Sequence, residues 1–346
     1  MKKFVLSVFA IAAMASCMQD ETISQNQQAI DFGTPFVDKA TKAKDLTYGE
    51  TTVELREFYV YGTVTGTAGT VNIFKNAKVY CKENEHLVGT DKVWNCDVKQ
   101  YWIPGASYVF DAVVDATVTT GEYDMPTTLE PVAAENGNLK DLLYDTAKET
   151  GAETHAPVDF NFKHLLAKAY FTVKSNTEGG YYYSVKNISV QNIKTGAKYV
   201  IARGENGEDN GAWEATALDT DVANWISFGN IEKITKADTN GKTNEYQTLL
   251  VPTAKEFKVS FTVELWNDLG DTDAINDVKL STVTYADDDA DTTHNAKVVS
   301  IKEGEELVGL QAGHAYNFNL ELKNGKLIEF TVTTAPAWEN DTNITL

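Results

Sequence analysis

Residues 316–333 read YNFNLELKNGKLIEFTVT. Tyr316, Phe318, Leu320 and Leu322 fall on one side of an alternating run; Asn324-Gly325 interrupts it, and Ile328, Phe330 and Val332 resume it. An Asn-Gly pair between two such runs marks a hairpin, because both turn residues must take positive φ, which Asn and Gly accept at least cost. The same period of two recurs along the chain. In 56–66, REFYVYGTVTG, Phe58, Val60 and Val64 oppose Tyr59, Tyr61 and Thr63. In 258–266, KVSFTVELW, Val259, Phe261, Val263 and Leu265 oppose Ser260, Thr262 and Glu264. Shorter runs of the same kind lie at 169–175, 181–190, 197–202 and 246–252. Many strands with frequent turns predict an all-β chain of antiparallel β-sandwiches.

One stretch breaks the pattern. NLKDLLYDTAKE, 138–149, places Leu139, Leu142, Leu143 and Ala147 on a helical stripe behind Asn138 as N-cap, and so predicts one short helix. Polar residues and a proline follow in ETGAETHAPVD, 149–159, which suggests a domain boundary there. The expected organisation is 1–16, 17–28, 29–157 and 158–346: an export signal, a tether and two β-sandwich domains, with the helix near their junction. Residues 202–224 and 284–295 read as long acidic loops.

The amino terminus is built differently. MKKFVLSVFAIAAMAS, 1–16, has two lysines, a short apolar run and small residues before Cys17. This is the layout of a secretory signal rather than of a membrane span, which needs about 20 apolar residues. Met14-Ala15-Ser16-Cys17 resembles a bacterial lipobox, in which cleavage falls between Ser16 and Cys17 and the cysteine is acylated, with palmitate among the usual chains. A protein held by two or more acyl chains stays at the membrane while its bulk sits in water. The following acids, in MQDE at 18–21, are either a surface-export signal or a solvated linker.

Composition fits an exterior address. The net charge is −20, and loss of 1–16 removes two lysines and no acids, leaving −22. Such a charge opposes nucleic acid and anionic lipid surfaces. A hydrophobic content of 42% suffices for packed cores, which excludes a disordered stalk. Besides Cys17, Cys81 and Cys96 remain, either bridged across neighbouring strands or buried as thiols.

Catalytic patterns are missing: there is no GxSxG elbow, phosphate-binding lysine loop, HExxH or GxGxxG. The five histidines stand apart, and no cofactor or metal is expected. Asn267, Asp268, Asp271, Asp273, Asn276 and Asp277 cluster but do not match a twelve-residue calcium loop. Trp213, Trp225 and Trp266 either stack on sugars or fill a core.

Four stretches together resemble the fimbrillin family of pilus subunits. They are 30–50 with FYVYGTV and NIFKNAKVY; then VWNCDVKQYWIPGASYVFDAVVD, with its Trp, Pro, Tyr, Phe and Ala spacing; then DLLYDTAKE leading to VDFNFKHLLAKAYFTVKS; and LQAGHAYNFNLEL with the closing FTVTTAPAWEND. The resemblance implies two sandwich domains of transthyretin-like, Greek-key topology. It implies a non-enzymatic structural subunit at the outer membrane and cell surface, assembling into an adhesive fimbria by strand exchange with other subunits. In the family a first strand is removed by proteolysis and replaced by a neighbour's. Here Ile30, Phe32 and Phe36 share a parity suited to such a strand, and Lys39, Lys42 and Lys44 follow it, either as processing sites or as a solvated turn. The family's best-known processing is arginine-directed, whereas the only arginines here are Arg56 and Arg203. The rival expectation is a stand-alone surface lipoprotein, or a pilus anchor or tip, that binds a host protein or glycan.

Overall fold

The computed structural model describes residues 27–37, 41–42, 46–48, 51–53, 55–81, 94–134, 138–177, 180–194, 196–214, 218–244, 248–267, 277–287, 294–303, 306–323 and 326–335. Cys17, Ser16, Lys39 and Lys44 lie outside them, as does most of the acidic cluster at 267–277. The described residues are strands and connections, with short 3-10 turns such as Glu122–Asp124 and Val222–Asn224. Among them no helix is long and apolar enough to cross a membrane.

The hairpin forms where the alternation places it. Ala315–Lys323 pairs with Lys326–Ala335, setting Phe318 opposite Val332 and Leu320 opposite Phe330. The register slips by one between Glu321 and Leu322, which pairs Leu322 with Leu327 and leaves Ile328 as the extra residue. This hairpin belongs to one five-stranded sheet, and Tyr181–Val190, Ile226–Ile234, Glu256–Asn267, Val278–Tyr285 and Lys297–Ser300 form another. The two sheets pack face to face. Phe171 meets Phe228 at 4.8 Å and Phe318 meets Phe257 at 5.8 Å between ring centroids. Of the apolar face Val259, Phe261, Val263 and Leu265, the first three are at most 1% exposed in the core between them and Leu265 is partly buried against it.

The first half is one eight-stranded sheet. Its order is Thr41–Lys42, Phe36–Val37, Asn161–His164, Leu143–Thr150, Ser107–Val114, Glu57–Gly66, Gly69–Cys81 and Trp94–Cys96. It curls on itself: Phe162 and Phe58 lie three strands apart, yet their rings are 5.5 Å apart. Gly62 permits the close packing, since a Cβ there would lie 2.9 Å from Phe110 and 3.0 Å from Phe74. Its outer face is covered by a four-stranded sheet of Ala116–Thr120, Pro126–Pro131, Lys198–Val200 and Ala212–Glu214, giving a third core around Tyr61, Leu129, Tyr144 and Tyr199.

Two expectations are corrected. The helix at 138–149 does not form: Leu143–Thr150 is a strand, paired from Leu143 opposite Val114 to Thr150 opposite Ser107. The start of the strand packs on both faces, Leu143 and the partly buried Ala147 towards the inner core and Tyr144, with Leu142 just before the strand, towards the outer one. Apolar residues on both faces imitate a helical stripe. The sheets are also not purely antiparallel. Phe36–Val37 runs parallel to Asn161–His164, and Ala167–Ser175 runs parallel to Ala315–Lys323. Each parallel pair joins segments more than a hundred residues apart, where the intervening strands supply the long crossover that parallel pairing requires.

Candidate functional site

The amino-terminal segment 28–37 lies in a groove of the first half and is hydrogen-bonded along both edges. On one edge, the N–H of Trp102 donates to the carbonyl of Gln28 (3.0 Å) and that of Ile30 to Gln100 (2.8 Å). On the other, Val158 N–H donates to Asp31 (2.8 Å), Gly33 N–H to Val158 (2.9 Å) and Phe36 N–H to Phe160 (2.8 Å). Alternate residues of an extended chain direct their polar groups to opposite sides, so one segment serves both neighbours. It ties residues 100–102, just beyond the last strand of the curled sheet, to residues 158–162 near its other end.

Its side chains fill the groove. Ile30 is 3% and Phe32 5% exposed. The Phe32 ring sits among four others: Phe74 at 5.5 Å, Phe160 stacked at 6.0 Å, Phe110 at 6.1 Å and Phe58 at 6.5 Å. Phe36 does not share this face. It is half-buried, and Val37 takes the inward place. The reason is a count: from Gly33 to Phe36 the segment advances three residues while its partner advances two, Val158 to Phe160. The extra residue, at Thr34-Pro35, reverses the alternation.

At the segment's start the Gln28 amide donates from Nε2 to the carbonyl of His155 and accepts on Oε1 from the His155 N–H, both at 2.6 Å. The His155 ring stacks on Trp102, 3.9 Å away and 20° from parallel, with Nε2 3.4 Å from the Glu149 carboxylate. At the other end, Thr41–Lys42 pairs back onto Phe36–Val37, Lys42 opposite Phe36.

The Fimbrillin-like family model matches residues 41–338. The chain belongs to the fimbrillin-like family. Among curated proteins none matches. Among solved structures, the chain is similar to a candidate cell adhesion protein from Bacteroides uniformis, with 16% identity, a TM-score of 0.47, and 91% of this chain and 99% of that one covered. It is similar to a fimbrial assembly protein from Parabacteroides distasonis at 12% identity and TM-score 0.41, covering 89% and 100%. It is also similar to the C-terminally truncated tip fimbrial protein Mfa3 from Porphyromonas gingivalis at 7% and 0.35, covering 81% and 94%.

Three of the four stretches that carried the resemblance lie wholly or mainly in the half of this fimbrillin-like chain that holds the groove; the closing hairpin belongs to the other core. Trp102, Tyr108, Phe110 and Ala112 are at most 1% exposed in the inner core, with Trp102 edge-on to Tyr108 at 4.7 Å. Asp141 of DLLYD and His164 of FKHLLAK are joined in the interior, with Nδ1 3.0 Å from the carboxylate. Asp145 accepts the N–H of Asn161 at 2.6 Å where the Asn161–His164 strand begins. Burial pushes its carboxyl up to about 6, against the N–H donors of Asn161 and Thr146.

Cys81 and Cys96 lie on neighbouring strands but are not bridged. Cys81 stands opposite Trp94 and Cys96 opposite Val79. Such diagonal neighbours have Cβ atoms about 7 Å apart, against about 3.8 Å in a disulfide.

Within the acidic stretch, residues 203–213 dock rather than hanging as a loop. The Arg203 guanidinium donates from Nε to both oxygens of Asp111 (2.9 and 3.0 Å) and from Nη2 to Asp111 and to the carbonyl of Pro126. The Tyr144 hydroxyl donates to the same fully buried Asp111 at 2.9 Å. Burial opposes the Arg203 charge, but the Asp111 carboxylate beside it holds its pKa above the usual value. Lys148 donates to the carbonyls of Gly204 (2.6 Å) and Glu205 (2.9 Å).

The three tryptophans considered as sugar platforms are engaged in packing. Trp213 donates to the Leu165 carbonyl at 2.8 Å and meets Tyr199 edge-on. Trp225 is 8% exposed, and Trp266 stacks on Tyr182 at 6.1 Å. Among the described residues no three His, Cys, Asp or Glu side chains gather as a metal site.

Proposed function

We propose that this fimbrillin-like chain is a structural, non-catalytic subunit of an adhesive cell-surface fimbria that assembles by strand exchange. It is exported as a lipoprotein, cut between Ser16 and Cys17 and anchored to the outer membrane through Cys17. Its two domains, divided along the chain as 29–157 and 158–346, are sandwiches of transthyretin-like topology, with Asn161–His164 and residues 198–214 of the second contributing strands to the first. Trimming after Lys39, Lys42 or Lys44 frees residues 28–37, and a strand from another subunit takes their place. The observation that carries this reading is the segment itself, hydrogen-bonded on both edges, filling a groove with Ile30 and Phe32, and preceding the family-matched region. Its removal would expose two strand edges and a nest of four phenylalanines, which an incoming strand would satisfy with backbone hydrogen bonds and side-chain pockets.

The test uses residues 18–346, purified without lipid and treated with limiting trypsin, followed by amino-terminal sequencing and electron microscopy. A cut after Lys39, Lys42 or Lys44 with filaments supports the reading. Loss of the segment with a chain that stays monomeric refutes a shaft role, and leaves an anchor, a tip or a ligand-binding surface lipoprotein.

A further inference from the structure

Backbone hydrogen bonds hold a strand in a groove without saying which residue goes where, since a slip of two residues restores the same ladder. The Gln28–His155 pair discriminates. One carbonyl and one N–H, both from the backbone of His155, face a single side chain at 2.6 Å each. A carboxylate lacks the donor, an ammonium lacks the acceptor, and an aliphatic side chain lacks both; a primary amide of glutamine length completes the pair. The reader is braced. Its ring is stacked on Trp102, which is 1% exposed and donates its own N–H to the Gln28 carbonyl. The chain leading to it is fixed by Gly151, whose N–H donates to Ala106 (2.8 Å) and whose carbonyl accepts from Gly105 (2.9 Å). A Cβ at Gly151 would lie 2.1 Å from the Ile103 carbonyl oxygen, so only glycine fits there.

We propose that the His155 backbone, held by Trp102, is an amide-reading pocket that sets the register of whichever strand occupies the groove. The strand it accepts carries glutamine two residues before an aliphatic and four before an aromatic side chain, as Gln28, Ile30 and Phe32 do here. The identity of an incoming strand rests on the strand-exchange reading; the pocket does not.

Two experiments separate them. In the full chain with Cys17, Cys81 and Cys96 replaced by serine, Ala29→Cys and Tyr101→Cys stand opposite each other in the native register. Their cross-link is expected to form readily with Gln28 and at least about fivefold less with Gln28→Leu, where two hydrogen bonds are lost. Gln28→Glu, which keeps only the acceptor, should fall between. Equal cross-linking in all three overturns the proposal. In the second experiment, trypsin-trimmed protein is titrated with a labelled peptide of residues 27–37 and with its Gln28→Leu version. Binding at least about tenfold tighter for the glutamine peptide supports an amide-selective strand site, and equal binding overturns it. If neither peptide binds while the cross-link still depends on Gln28, the pocket stands as an internal register lock and strand exchange fails.

Discussion

Replacing Phe32 by alanine removes the ring around which four others are arranged at 5.5–6.5 Å, and it does so on a segment held by only a few backbone hydrogen bonds. A buried Phe→Ala change costs about 3–5 kcal/mol when the surroundings cannot collapse. Phe58, Phe74, Phe110 and Phe160 are each at most 1% exposed and belong to four different parts of the chain, so the cavity would not close readily. The cost falls first on the segment, because undocking relieves it without unfolding either sandwich core. At about 1.4 kcal/mol per factor of ten, the amides of Ile30, Gly33 and Phe36 should exchange with solvent at least about a hundredfold faster. Those of the Ala315–Lys323 strand, in the other core, should be unchanged. Hydrogen exchange read by mass spectrometry, with urea unfolding alongside, makes the measurement. A uniform acceleration in both halves, or less than a threefold change at 28–37, would refute the claim that this segment is the separately detachable element.

Two other perturbations test the surrounding network. Arg203→Met should destabilise the chain by about 2–4 kcal/mol in urea denaturation, because it leaves the buried Asp111 carboxylate with Tyr144 but no cation; adding Asp111→Asn should restore much of the loss, and a change under about 1 kcal/mol would sink the idea. Asp145 binds its proton more tightly folded than unfolded, so its contribution to stability is fully present below about pH 4 and is lost as pH rises through about 6. Asp145→Asn should therefore flatten the stability profile between those values and stabilise the chain near neutrality, and an unaltered profile in parallel unfolding series would contradict the assignment.

The corrections share a cause. Leu142, Leu143 and Tyr144 are consecutive and apolar because one strand faces two cores, and only the presence of the four-stranded sheet outside makes that so. Phe36 leaves the inward face because the partner segment advances two residues against three, a mismatch invisible in either stretch alone. The tryptophans at 213, 225 and 266 could be placed near loops or strand ends, but whether they met sugar or protein depended on what folded over them.

Period-two alternation, the Asn-Gly turn and the parity of Ile30 and Phe32 are short-range properties, set by the pleat of an extended backbone, and they were legible in the sequence as strands, hairpin and candidate groove strand. The groove, the Gln28–His155 pair at a separation of 127 residues and the Arg203–Asp111 pair at 92 were not. Each needs two distant segments brought to hydrogen-bonding distance by the closure of a sheet, and nothing in the local pattern around Gln28 or Arg203 records which segment will arrive.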